Sequence, residues 1–168
     1  TTFQKNVIGE IGFFSGLFSF PYKKYKNPVL VSSTDGVGTK ILLAQQFGEY
    51  RGIGIDLVAM NVNDVAVSGA EVLFLLDYIA VGEIKGKREK EIIDGIIEGC
   101  KIAGCSLIGG EIAQMKDVYG KDGFDLAAFC AGVVERRKIP DFKRIKAGDV
   151  LVGINSNGVH SNGFSLIR

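Results

Sequence analysis

Three acids and one histidine, each set among small residues, are the side chains in this sequence best placed to do chemistry. Asp35 lies in "SSTDGVGTKI" (32–41), between an apolar run that ends in Val31 and a loop holding Gly36, Gly38 and Thr39. Glycines there can take positive φ angles and let backbone N–H groups approach a phosphate closely. The loop lacks the third glycine of a dinucleotide fingerprint and the spacing of a Walker A loop, and alone such a loop is more often a turn than a site. Asp64 follows Asn63 in "GIDLVAMNVNDVAVSGA" (54–70), where Asp56, Asn63 and Asp64 fall within roughly a 100° sector of an otherwise apolar helix. Asp56 reads as an N-cap, whereas a buried carboxylate at Asp64 needs a cation or donors. Glu111 comes directly after Gly109-Gly110, at the end of an apolar strand, and its plain reading is a surface acid in a tight turn. Two strand-end acids and one helix acid nevertheless resemble hard-oxygen ligands for Mg²⁺, which prefers a few carboxylates plus water and nucleotide phosphates. His160, the only histidine, stands in "NSNGVHSNGFS". It is either a solvated loop residue or a group at the lip of a helix start, signalled by Ser161 or Asn162, whose free N–H groups can hold an anion.

These residues need elements to hold them. "PVLVSS" (28–33) reads as a buried strand, and "TKILLAQQFG" (39–48) as a helix that Gly48 ends. Segment 54–70 reads as a helix buried on most sides, with Gly69 near its exit. "EVLFLLDYIAVGEI" (71–84) is rich in β-branched and aromatic residues and predicts a long strand, while Ile92, Ile93, Ile96, Ile97 and Cys100 give "KREKEIIDGIIEGCKIAG" (87–104) helical spacing. "CSLIGGEIAQM" predicts a strand running into its two glycines, "FDLAAFCAGVVER" another, and "DVLVGINSNGVHSNG" a last strand that ends in a loop. The sum is an α+β fold: a mostly antiparallel sheet of four to five strands with helices packed on one face. The other face needs cover, and a homodimer burying it is the natural answer.

At 168 residues and 46% hydrophobic content the chain can bury one large core, and no internal boundary or repeat is visible. Twenty basic against nineteen acidic residues give a charge of +1, which removes the electrostatic case for nucleic acid or an anionic membrane surface and leaves a small molecule as the expected partner. Cys100, Cys105 and Cys130 lie in apolar runs without a C-x-x-C pair, which fits a reducing cytoplasm better than a disulfide framework or a zinc site. "IGFFSGLFSFPY" is about half a membrane span and follows no basic region, so its aromatics are expected in a core or a subunit contact. "HSNGFSLIR" signals a helix start and then stops, so the chain reads as a piece of something longer.

With "TDGVGTK", "GIDLVAMNVNDV", "CSLIGGEIAQM" and "GVHSNGFSLIR" in this order, nearly the whole chain resembles the N-terminal domain of the phosphoribosylformylglycinamidine cyclo-ligase (aminoimidazole ribonucleotide synthetase) family of purine biosynthesis. "DGVGTK" and "GGE" also occur, in variant forms, across a wider ATP-binding superfamily that includes selenophosphate synthetase and thiamine-monophosphate kinase. The resemblance implies an ATP-dependent ring closure of formylglycinamidine ribonucleotide through phosphorylation of its formyl amide oxygen. It implies that Asp35, Asp64 and Glu111 hold Mg²⁺ and the ATP phosphates, with Gly36, Gly38, Thr39, Asn63 and Gly110 beside them. His160 and Asp64 would be catalytic, and Ser161 and Asn162 would face the substrate. The family forms homodimers whose N-terminal sheets join in a shared β-barrel. Its members carry a glycine-rich segment with a lysine ahead of this start, which closes over the nucleotide, and a second domain after Arg168. Ser33, Ile112 and Lys116 depart from the family pattern, so hydrogen bonding near Glu111 is where the transfer is weakest. Two rivals remain: another superfamily member such as a small-molecule kinase or selenophosphate synthetase, and a non-catalytic dimerisation module.

Overall fold

The computed structural model describes residues 1–168 apart from Glu10, Ile11 and Phe13. Its sheet is built from β3 (Pro28–Gly36), β4 (Glu71–Val81), β5 (Ser106–Gln114) and β6 (Phe124–Glu135) in the order β3-β6-β4-β5, after a two-stranded antiparallel ribbon of β1 (Val7–Ile8) and β2 (Leu17–Phe18). β6 is antiparallel to both β3 and β4, and β4 is parallel to β5. Since β3 and β4 both oppose β6, three strands share one direction and β6 alone reverses it.

The sheet is therefore mixed, not mostly antiparallel. The reason lies between β4 and β5, where α3 (Lys87–Ala103) carries the chain back along the sheet so that β5 restarts in the direction of β4. In the same way α1 (Lys40–Phe47) and α2 (Arg51–Ala66) connect β3 to β4. Gly48, at φ 70°, closes α1, and Gly104, at φ 68°, closes α3.

Two further expectations need correction. The run at 149–157 forms no strand: Val150, Leu151, Val152 and Ile154 are exposed and join neither sheet edge. An apolar run becomes a strand only where a ladder takes up its backbone groups, and none does so here. β5 does not end at its glycines but runs through Gly109, Gly110 and Glu111. Of the apolar opening segment, Ile11 and Phe13 lie outside the described residues, Phe14 is exposed, and Phe18 packs against Phe74 with ring centroids 5.3 Å apart.

The core fills the space between one sheet face and the helices. Leu57, Val58 and Val65 of α2 and Ile92, Ile96 and Cys100 of α3 meet Leu75, Ile79, Leu126 and Cys130 of the sheet. α2 and α3 cross so closely that glycine is required at the contact. A Cβ on Gly54 would stand 2.8 Å from the Ile96 nitrogen, one on Gly95 would run into the Arg51 carbonyl, and one on Gly99 would stand 2.9 Å from Val58 Cβ. Two further single α-helical turns are α4 (Lys116–Tyr119) and α5 (Phe164–Ile167). No helix among the described residues is long and apolar enough to cross a membrane.

Candidate functional site

Strand alternation decides where Asp35 points. In β3 the residues Val29, Val31, Ser33 and Asp35 lie on the helix-bearing face, and Leu30, Ser32 and Thr34 on the other. Asp35 is the penultimate residue of the strand, one place earlier than a loop position, and Gly36 donates its N–H to Asp35 Oδ1 at 2.8 Å. The fully buried Asn61 of α2 pins this backbone. Its Oδ1 accepts from Asp35 N–H at 3.0 Å, and its Nδ2 donates to the Asp35 carbonyl at 3.2 Å and to the Leu57 carbonyl at 2.9 Å. Asn61 was not singled out in the sequence; its signal was a polar residue inside "AMNV", where burial demands partners.

On either side of Asn61, α2 presents its polar stripe. Asp56, Met60, Asn63 and Asp64 line a cavity of about 770 Å³ together with Asp35 and, from the C-terminal segment, Asn157, Gly158, Val159, His160, Ser161 and Asn162. Its size suits a small ligand. Asp56 is not an N-cap, because α2 begins at Arg51 and places it inside the second turn, where its carboxylate pairs with Lys40. Ser33, the departure from the family pattern, donates its hydroxyl to Asp64 Oδ2 at 3.0 Å and so orients that carboxylate. His160 Nε2 lies 2.9 Å from Asn157 Oδ1 and 3.4 Å from Ser156 Oγ, so its ring is held by its own loop. Gly38 takes φ 70° and makes the turn into α1, and Thr39 precedes that helix with its hydroxyl 2.9 Å from Ser165 Oγ.

Glu111 is not brought to this cavity. It lies on β5, at the opposite edge of the sheet from β3, and in register beside Tyr78 on the face away from the helices. Among the described residues no three His, Cys, Asp or Glu side chains stand close enough together to hold a metal ion. The expected three-carboxylate cluster is thus not formed within one chain, because Asp35 and Glu111 are separated by two strands and by the sheet itself. Asp35 and Asp64 remain a pair of hard-oxygen donors on one cavity, which fits a Mg²⁺ ion that takes one or two carboxylates and completes its shell with phosphates and water. Lys116, another departure, pairs with Glu83 at 2.7 Å, away from Glu111.

One acid was overlooked altogether. Asp35 and Asp77 both pair with Ala128, and Asp77 pairs with Gly110, so one row crosses all four strands on the helix face. The Asp77 carboxyl lies where a Cβ at position 110 would sit, so only glycine leaves it room. Burial pushes the Asp77 carboxyl up to about 6, against a smaller opposing pull from its own backbone N–H. Its signal in the sequence was a charge in the middle of "LFLLDYIAV".

Fold and site together define a small-molecule-binding α+β domain with an acid-lined cavity between a strand end, a helix and the C-terminal segment. Residues 22–134 match the family model "AIR synthase related protein, N-terminal domain", and the chain belongs to that family. It is 56% identical over 168 residues to the phosphoribosylformylglycinamidine cyclo-ligase of Thermodesulfovibrio yellowstonii, covering 100% of this chain and 49% of that relative. The chain thus spans about half the length of the curated relatives it matches. The thiamine-monophosphate kinase of Stenotrophomonas maltophilia shares the fold, with a TM-score of 0.60 at 20% identity over 79% of this chain and 38% of the kinase. So does the hydrogenase maturation protein HypE in complex with ATP, with a TM-score of 0.52 at 17% identity over 70% of this chain and 34% of HypE.

Proposed function

We propose that this chain is the ATP-binding half of a phosphoribosylformylglycinamidine cyclo-ligase. The observation that carries the reading is the cavity in which Asp35 and Asp64 face His160, Ser161 and Asn162 across one space. Support comes from the match of the whole of this chain to about half the length of its cyclo-ligase relatives, from the ATP bound by HypE, and from the order of the four motifs.

In the proposed reaction the formyl amide oxygen of formylglycinamidine ribonucleotide attacks the γ-phosphorus of ATP and ADP leaves. An amidine nitrogen then attacks the activated carbon, a C–N bond forms, and phosphate departs with the oxygen. An amide oxygen is a poor leaving group and its phosphate ester a good one, so the protein's share is positioning and charge stabilisation. Asp35, fixed by Asn61, and Asp64, oriented by Ser33, would hold Mg²⁺, whose charge offsets that of the phosphates. Gly36, Gly38 and Thr39 shape the approach of the phosphates, with Asn63 beside them. Ser161 and Asn162 contact the substrate, and His160 moves a proton at the amidine nitrogen. A homodimer formed through the open sheet face would place Glu111 at an interface, with Gly110 beside it in β5 facing the helices. Three free, buried cysteines suit a reducing, cytoplasmic setting.

Calorimetry of this chain with Mg·ATP, followed by Asp64→Asn, tests the proposal. The wild-type chain is expected to bind and the variant to bind at least about tenfold more weakly with its fold intact. In the full-length enzyme the same change should reduce turnover far more than stability. A full-length enzyme that phosphorylates thiamine phosphate and does not close the ring would replace this reading with the kinase one.

A further inference from the structure

The segment from Asp149 to Arg168 carries half of the cavity wall yet joins no sheet. Among the described residues, two side-chain hydrogen bonds fasten its last dozen residues to the rest of the chain, and both come from adjacent residues at the start of α1. Thr39 Oγ1 lies 2.9 Å from Ser165 Oγ, and Lys40 Nζ donates to the His160 carbonyl at 3.2 Å. Lys40 does more than this. Its ammonium pairs with Asp56 on α2 and lies 4.9 Å from the centre of the Phe164 ring. The Lys40 and Asp56 side chains are 22% and 19% exposed, so the pair is shielded enough to be worth more than a surface ion pair.

We propose that Lys40 is a positioning residue, which seats His160, Ser161 and Asn162 opposite Asp35 and Asp64 and so makes two separate walls into one site. Three donors on a compact ammonium allow this: one meets Asp56, one meets the backbone at His160, and the charge as a whole rests on the Phe164 ring. Asp56 supplies the fixed point, because it is locked into α2, the same helix that presents Asn63 and Asp64. The C-terminal segment is thereby indexed to the acids and not merely to the protein surface. The importance of this placement for ring closure rests on the function proposed above, whereas the placement itself can be read without any ligand.

The sole histidine makes the test direct, since its ring protons give one pair of NMR signals from the middle of the wall. In Lys40→Met, which keeps the length and apolar stem, the His160 signals should shift as the loop that holds the ring leaves the cavity wall. Proteolytic cleavage within 155–163 should accelerate at least about tenfold as local opening becomes easier. The thermal transition of the core should fall less than local opening rises, because the variant leaves Asp56 without its partner while the sheet and the α2–α3 packing keep their contacts. Lys40→Arg should restore most of the wild-type signal. His160 signals and cleavage unchanged in Lys40→Met would overturn the proposal. Should that variant fail to fold, Asp56→Asn leaves the ammonium in place and removes its anchor; an intermediate shift of His160 supports the role, and none overturns it. Failure of the wild-type chain to bind Mg·ATP would instead count against the proposed function and leave these outcomes as they are.

Discussion

Asp77 pairs with no cation among the described residues, and its carboxyl is held between β4 and Gly110 with a pKa near 6. The unfolded chain releases that proton at about 3.9. Between those values the folded state binds more protons than the unfolded one, so Asp77 makes stability fall as pH rises through that window, by up to about 3 kcal/mol above it. Asp77→Asn should therefore stabilise the chain at pH 8 and change little at pH 4, as chemical denaturation at the two values will show. Equal effects at both would mean that the carboxyl is not buried in its charged form. Asp64 is governed differently, by the Ser33 hydroxyl at 3.0 Å. Ser33→Ala should weaken Mg·ATP binding by about threefold to tenfold, the net worth of one solvent-exposed hydrogen bond, with the fold unchanged by circular dichroism. Asp35, Asn63, Asp64 and the 160–162 segment were legible in the sequence because their acids and amides break apolar or glycine-rich patterns. The place of Glu111 was not, because a glycine pair followed by an acid looks the same whether a strand stops there or runs on. Which face an in-strand residue takes depends on its register with Tyr78, and register is a property of two strands.

The helices owe their close crossing to three missing side chains. Gly95→Ala should destabilise the chain by about 2–3 kcal/mol, because the new methyl meets the Arg51 backbone and neither helix can yield alone. Thermal unfolding will measure it, and a loss below about 0.5 kcal/mol would mean that α3 can shift at no cost. At the start of α3 the buried Arg88 pairs with Glu89 at 2.8 Å, donates to the Asp122 and Glu83 carbonyls at 3.0 and 2.7 Å, and lies over the Phe124 ring. This cluster ties the helix to the ends of β4 and β6. The helix itself was legible from its isoleucine spacing, and so was a strand on either side of it. What those two facts imply together is a parallel pair, since seventeen helical residues return the chain to where β4 began. The last apolar run misled for the opposite reason: "DVLVGIN" has the composition of a strand and lacks a ladder to join.

Across the whole molecule, one sheet face is covered by helices and the other only in part. Phe74 is capped by Phe18 from the terminal ribbon, but Leu30, Phe129 and Tyr78 on the same face are 70%, 40% and 39% exposed. If a second copy covers this face, as proposed, Phe129→Glu should convert a dimer to a monomer in light scattering while leaving far-UV circular dichroism unchanged. A wild-type chain that is monomeric at high concentration would show that the face is covered some other way. The strand order also has a consequence for how the protein is made. β6 is the last of the four strands to leave the ribosome, and it is the one that lies between β3 and β4. Until residue 135 has emerged, β3 has no neighbour, the row containing Asp35 and Asp77 has a gap at Ala128, and the helices have only half a surface to rest on. Asp35 and Asp77 thus come into line in a single step, when the last of the four strands slides between two older ones.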